Sequence, residues 1–126
     1  MERFLEQVYT IGVVDDDDEV RDSIAAIFRA EGFEVRAFAG AEPFLASPRI
    51  DALACLVTDL HMPGLDGFGL VRELAAQGTA LPVVMMTAFA TPEARAKADR
   101  LGIAGFLEKP SDPDELLRVV RSLLPG

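Results

Sequence analysis

The sequence predicts an α/β fold, a three-layer sandwich in which five helices cover both faces of a parallel five-stranded sheet. Two observations carry that expectation. Short apolar runs alternate five times with longer stretches whose apolar residues recur at helical spacing, and such alternation builds βαβ units and a sheet buried on both faces. The runs also end in Asp15, Asp59, Thr87 and Lys109, polar groups at the carboxyl edge where open α/β sheets hold ligands. No repeat, low-complexity tract or linker interrupts the 126 residues, so residues 1–126 are expected to form one domain.

The elements follow in order. Residues 1–8 are a leader without a clear period. Tyr9 to Val14 is the first strand, and it runs into Asp15-Asp16-Asp17-Asp18-Glu19. Asp17 and Asp18 suit the start of the next helix, whose N-terminus favours carboxylates; Asp15 and Asp16 come too early for that. Val20, Ile24, Ile27 and Phe28 form the stripe of the first helix, which Gly32 stops. Phe33 to Phe38 alternates as a half-buried second strand. Ala41 to Ala46 is a short helix with Pro43 in its first turn and Pro48 beyond its end.

Cys55 to Thr58 is a fully buried third strand ending in the single carboxylate Asp59, and Pro63-Gly64 breaks the chain after it. Phe68, Val71, Leu74 and Ala75 are the expected inward stripe of the third helix, stopped by Gly78. Pro82 to Thr87 is a continuous apolar strand. Thr91-Pro92-Glu93 reads as an N-cap with proline in the first turn. The helix from Ala94 to Leu101 is mostly alanine and charge, and its apolar payload is small. Gly105 to Lys109 is the last strand. Asp112-Pro113-Asp114-Glu115 has capping-box spacing, and Leu116, Leu117, Val120 and Leu123 form the final stripe. Right-handed crossovers leave few topologies. The flavodoxin-like order 2-1-3-4-5 is the common one at this size, and it makes the first and third strands neighbours.

Composition narrows the function. A net charge of −9 argues against direct nucleic-acid binding by this chain, because phosphate backbones need Lys and Arg. No apolar run approaches the ~20 residues of a membrane span, and no signal peptide is legible, so a cytoplasmic location is expected. Cys55 is the only cysteine and reads as packing.

In the 2-1-3-4-5 order Asp15, Asp16 and Asp59 meet, with Thr87 and Lys109 on the same edge. Three carboxylates so close repel one another unless positive charge sits among them. Lys109 supplies one charge, and a hard divalent ion with oxygen ligands, Mg²⁺, suits the rest. Asp16 and Asp59 are the expected direct ligands, Asp15 a ligand directly or through water, and the backbone carbonyl of His61 completes the protein's share. A carboxylate beside Mg²⁺, a lysine and a hydroxyl is suited to accept a phosphoryl group.

The motifs Val14-Asp15-Asp16, Asp59-Leu60-His61-Met62-Pro63 with Gly67 following, Thr87-Ala88, Gly105-Phe106-Leu107 and Lys109-Pro110 carry a family resemblance. Over about residues 8–124 the chain resembles response-regulator receiver domains of bacterial two-component systems, and it looks most like receivers of the nitrogen-fixation-regulator type, which often precede a DNA-binding domain. The resemblance implies that Asp59 is the phosphoryl acceptor, that Asp15, Asp16 and the His61 carbonyl join it at the Mg²⁺ site, and that Lys109 pairs with the phosphate. Thr87 and Phe106 match the switch positions, and Lys109-Pro110 the family's cis bond. It further implies a sensor histidine kinase or histidine phosphotransfer protein as donor. Output would run through the face of the fourth helix, fifth strand and fifth helix, with homodimerisation on phosphorylation as a further expectation. The chain departs from the family at Ser111, where Phe is usual, and in its alanine-rich fourth helix.

Blander readings accompany each residue. Thr87 alone is an ordinary β-branched strand residue, Lys109 alone a surface charge, Phe106 core in either account, and Met85-Met86 core packing. His61, the one histidine, is read as a ring at the pocket rim. Two functions compete with a switch that catalyses only its own phosphorylation and dephosphorylation. One is a Mg²⁺-dependent phosphatase or mutase of the haloacid-dehalogenase type, which needs a second acid where His61 stands and a cap insertion the sequence lacks. The other is a pseudo-receiver that only binds protein.

Overall fold

A computed structural model describes residues 7–125. The strands are β1 (Thr10–Val14), β2 (Glu34–Phe38), β3 (Cys55–Asp59), β4 (Val83–Thr87) and β5 (Gly105–Glu108). The helices are α1 (Asp18–Ala30), α2 (Ala41–Ala46), α3 (Gly67–Ala76), α4 (Pro92–Arg100) and α5 (Pro113–Leu123). All strand pairs are parallel, in the order β2-β1-β3-β4-β5, as the alternation predicts. The reading of a leader over residues 1–8 falls mostly outside the described residues.

Strand side chains alternate between two cores, because successive residues point to opposite faces. Ile11, Val13, Cys55, Val57, Val84 and Met86 meet Ile24 and Phe28 of α1 and Leu116, Leu117 and Val120 of α5. On the other face Val14, Leu56 and Val83 meet Phe44 of α2 and Leu70 and Leu74 of α3. Burial pushes the Cys55 thiol up to about 12, which keeps it protonated and suits the packing role expected of it.

Several boundaries move for identifiable reasons. Tyr9 precedes β1, and its hydroxyl donates to the Pro125 carbonyl at 2.7 Å. The stripe expected on α3 is corrected at Ala75, which is exposed, while Leu70 is fully buried. Helix α3 buries two flanks: Leu70 and Leu74 face α2, and Phe68 packs with Leu60, Met85 and Ala98. A 3₁₀ turn at Ile50–Ala52, entered through Arg49 at φ 61°, was not legible in the sequence. It is fastened by Arg36 of β2, whose guanidinium donates to the carbonyls of Pro48 (2.8 Å) and Arg49 (3.2 Å).

Helix α4 begins at Pro92, with the Thr91 hydroxyl accepting from the Ala94 N–H. Its small payload is as expected: Ala98 is its one buried residue. Two cations add to its hold, Lys97 lying 4.8 Å from the centre of the Phe68 ring and Arg95 5.2 Å from that of Phe106. β5 stops at Glu108, one residue short of Lys109, and the Lys109-Pro110 bond is cis.

Candidate phosphoryl-acceptor site

The carboxyl edge of the sheet gathers the site because the ladder continues past the strand ends. β1 and β3 are paired in register from Ile11↔Cys55 to Val14↔Thr58, which brings the next residues, Asp15 and Asp59, side by side. The Asp15 N–H donates to the Phe38 carbonyl (3.2 Å), the Leu60 N–H to that of Met86 (2.9 Å) and the Lys109 N–H to that of Thr87 (2.8 Å). The backbones that carry Asp15, Asp59 and Lys109 are thus tied into one rigid layer.

Carboxylate oxygens of Asp15, Asp16 and Asp59 lie within 4.8 Å of one another, the one such acidic group among the described residues. Asp15 is 1% and Asp59 7% exposed, whereas Asp16 faces solvent. The Lys109 ammonium reaches Asp15 Oδ2 at 2.8 Å and Asp59 Oδ1 at 3.1 Å. Asp17 is a helix cap: its carboxylate accepts from the N–H groups of Glu19 and Val20, and its own N–H donates to Asp15 Oδ1 at 2.9 Å.

The two partners of the ion pair feel the cluster differently. Burial pushes the Asp59 carboxyl above its ordinary value; Lys109 lowers it, and the charges of Asp15 and Asp16 raise it again. For Lys109 burial pulls downward, but the hydrogen bond and charge of Asp15, followed by those of Asp59, outweigh it and hold the ammonium above its ordinary value. The lysine therefore stays charged, and Asp59 carries surplus negative potential that a second cation would relieve. An all-oxygen set of three carboxylates with a single lysine among them fits a hard divalent cation such as Mg²⁺.

The remaining expected residues have other partners. Thr87 is fully buried, and its hydroxyl accepts from the Phe89 N–H at 3.1 Å. His61 has an exposed ring set edge-on to Phe89, with 6.1 Å between centroids. Phe106 is corrected from core to half-buried: it packs at the margin of the Leu60–Phe68–Met85 cluster with the Arg95 guanidinium over its ring.

Three contributors were missed from the sequence. Phe89, 68% exposed, was an unremarked aromatic in a loop. Arg95 gave no signal, since only the fold brings it over Phe106. Arg21 pairs with Asp18 at i,i+3, a spacing the sequence does display, and it also donates to the Asp15 carbonyl at 2.7 Å.

Comparison with known proteins agrees with this geometry. The chain is 39% identical over 115 residues to the transcriptional regulatory protein FixJ of Azorhizobium caulinodans, covering 90% of this chain and 54% of that protein. It therefore spans about half the length of that relative. It is 40% identical over 112 residues to an uncharacterized 14.6 kDa protein of Leptolyngbya boryana, covering 86% of this chain and 85% of that one. The crystal structure of FixJ-N superposes with a TM-score of 0.85 at 32% identity, over 94% of each chain. The likeness to nitrogen-fixation-regulator receivers expected from the motifs is met by FixJ. Residues 11–121 match the model of the response regulator receiver domain, and the chain belongs to that family.

Proposed function

We propose that residues 1–126 form a single phosphoryl-accepting switch of a two-component phosphorelay, acting in the cytoplasm, with Asp59 as acceptor and a sensor histidine kinase or histidine phosphotransfer protein as donor. The observation that carries this reading is the convergence of Asp15, Asp16, Asp59 and Lys109 on one sheet edge, with the Asp59 carboxylate buried against the lysine. A carboxylate oxygen of Asp59 forms the new O–P bond as the P–N bond of the phosphohistidine breaks, and the electron pair leaves with the imidazole. Lys109 neutralises charge on the phosphoryl oxygens and keeps the Asp59 oxygen oriented for attack. Asp15, Asp16, Asp59 and the His61 carbonyl would hold Mg²⁺, which when bound supplies further neutralisation of that developing charge. The chain turns over no separate substrate; it catalyses its own phosphorylation and dephosphorylation.

The test is intact mass after incubation with acetyl phosphate and Mg²⁺, chosen because the chain has no tryptophan to report the event optically. One added phosphoryl group, lost when a chelator is present, is the expected result. No addition to a folded protein, from either acetyl phosphate or candidate kinases, would leave the protein-binding pseudo-receiver as the better reading.

Phosphorylation is expected to draw the Thr87 hydroxyl from the Phe89 N–H toward the new phosphoryl oxygens and to turn Phe106 inward from beneath Arg95. Because α4 has one buried residue, these shifts reshape the α4–β5–α5 face, which would control an output domain or partner and support homodimerisation. A structure with a phosphoryl mimic at Asp59 checks this: Thr87 and Phe106 left in their present positions would refute the coupling. An unchanged sedimentation coefficient on phosphorylation would count against the dimer.

A further inference from the structure

We propose that Arg21 is a positioning residue for the acidic pair, a role that rests on the metal reading above. Asp15 is fixed at both its backbone groups and both its carboxylate oxygens. Its N–H donates to the Phe38 carbonyl at 3.2 Å. Its Oδ1 accepts from the Asp17 N–H at 2.9 Å, and its Oδ2 from Lys109 at 2.8 Å. The remaining group, its carbonyl, accepts from Arg21 Nη1 at 2.7 Å. The second arm of the guanidinium, Nη2, binds the Asp18 carboxylate. Arg21 is 16% exposed along its side chain, so its arm on the Asp15 carbonyl is partly shielded from competing water, whereas the Asp18 carboxylate on its other arm faces solvent.

That carbonyl belongs to the peptide unit joining Asp15 to Asp16. Asp15 and Asp59 have Lys109 to place their carboxylates. The Asp16 side chain has no hydrogen-bond or ion-pair partner among the described residues, and it is exposed. What aims it at the cluster is its backbone, held before Cα by the Arg21-bound peptide and after it by the Asp17 N–H on Asp15. Outer partners that orient the residues holding a metal typically govern ten- to hundred-fold in affinity. Arg21 also brings positive charge toward a site meant for a cation. Charge and position therefore predict opposite consequences of its removal: charge alone predicts tighter cation binding, position predicts weaker.

The experiment is calorimetric titration of the full chain with Mg²⁺, followed in parallel by the amide resonances of residues 15–17, with a thermal melt in chelator to confirm folding. Arg21→Met is expected to weaken Mg²⁺ binding roughly ten-fold. Arg21→Lys, which keeps the charge but can reach only one of the two acceptors, is expected to lose about three-fold. Asp18→Asn, which leaves the bond to the Asp15 carbonyl, is expected to stay within about two-fold of wild type. Should Arg21→Met not fold, Arg21→Lys decides alone, since a charge effect predicts no change for it. Unchanged or tighter binding by Arg21→Met, or wild-type affinity in Arg21→Lys, overturns the proposal. A wild-type chain that binds no Mg²⁺ overturns the metal reading and this proposal together, an outcome distinct from wild-type binding that the variants retain.

Discussion

Asp59→Asn should abolish phosphoryl uptake from acetyl phosphate while leaving the metal-free fold at neutral pH at least as stable as wild type. The first half follows from the chemistry: an amide is not the nucleophile that a carboxylate is, and of the two buried acids on Lys109, Asp15 has both carboxylate oxygens hydrogen-bonded, whereas Asp59 meets the lysine through Oδ1 alone. The second half follows from the sign of its shift. Burial and, less strongly, the charges of Asp15 and Asp16 raise the Asp59 carboxyl above 3.8. Its contribution to stability is therefore full below that pH and is lost as pH rises through the folded-state value. Above that window the ionised group opposes folding, and asparagine removes the charge while Lys109 keeps Asp15 at 2.8 Å.

Magnesium should reverse this ranking. A ligand that binds only the native state at a hundred-fold excess over its Kd adds about 2.7 kcal/mol, and the wild type, with all three carboxylates, should gain most. Urea melts of both proteins at several pH values, in chelator and in Mg²⁺, measure each term. Persistent phosphorylation of the variant would reassign the acceptor. A metal-free variant clearly less stable than wild type at neutral pH would mean that the Asp59–Lys109 pair outweighs burial and repulsion.

The fold was legible in the sequence because its signals are local and redundant. Gly32, Gly78 and Gly102 all take positive φ just past helices, and Asp17, Thr91 and Asp112 all cap as their positions suggest. Asp15, Asp16, Asp59 and Lys109 were legible because each ends a strand or follows one within two residues, and strand order alone brings strand ends together. What escaped notice depends on tertiary direction. Ala75 was assigned inward on helical spacing alone, but α3 packs toward α2 on one flank and toward α4 on the other, and this selects Leu70 and Phe68. Phe106 looked like core as an aromatic on a short apolar strand. Its half-exposed position under Arg95 depends on where α4 lies, and a helix with one buried residue leaves little trace of its docking in sequence.

Gly67→Ala should cost about 2–3 kcal/mol of stability and slow phosphoryl uptake at least ten-fold, against the ordinary expectation for a helix. Gly67 opens α3, and alanine is the better helix former by up to ~1 kcal/mol, so propensity predicts a gain. A Cβ at Gly67, however, would stand 2.7 Å from the Asp59 carbonyl oxygen, 2.9 Å from Met85 Cε and 3.0 Å from Leu60 Cα. Two of these neighbours are backbone atoms at the end of β3 and cannot rotate away. The Gly67 N–H also donates to the Leu60 carbonyl at 2.9 Å, so moving the helix outward sacrifices that bond, and moving the strand displaces Asp59 itself. Displacements near 1 Å at a reacting group can cost about a hundred-fold in rate. Gly69, one position beyond Phe68 in the same turn, is the internal control. Its added Cβ would meet chiefly the side chain of Leu65, which is half-buried and can give way where backbone atoms at the end of β3 cannot, so Gly69→Ala should cost less stability than Gly67→Ala and phosphorylate normally. Equal melts and equal uptake rates for the two variants would show that α3 can slide over the end of β3, and that the glycine in the Asp59 motif is not there to let helix and acceptor approach.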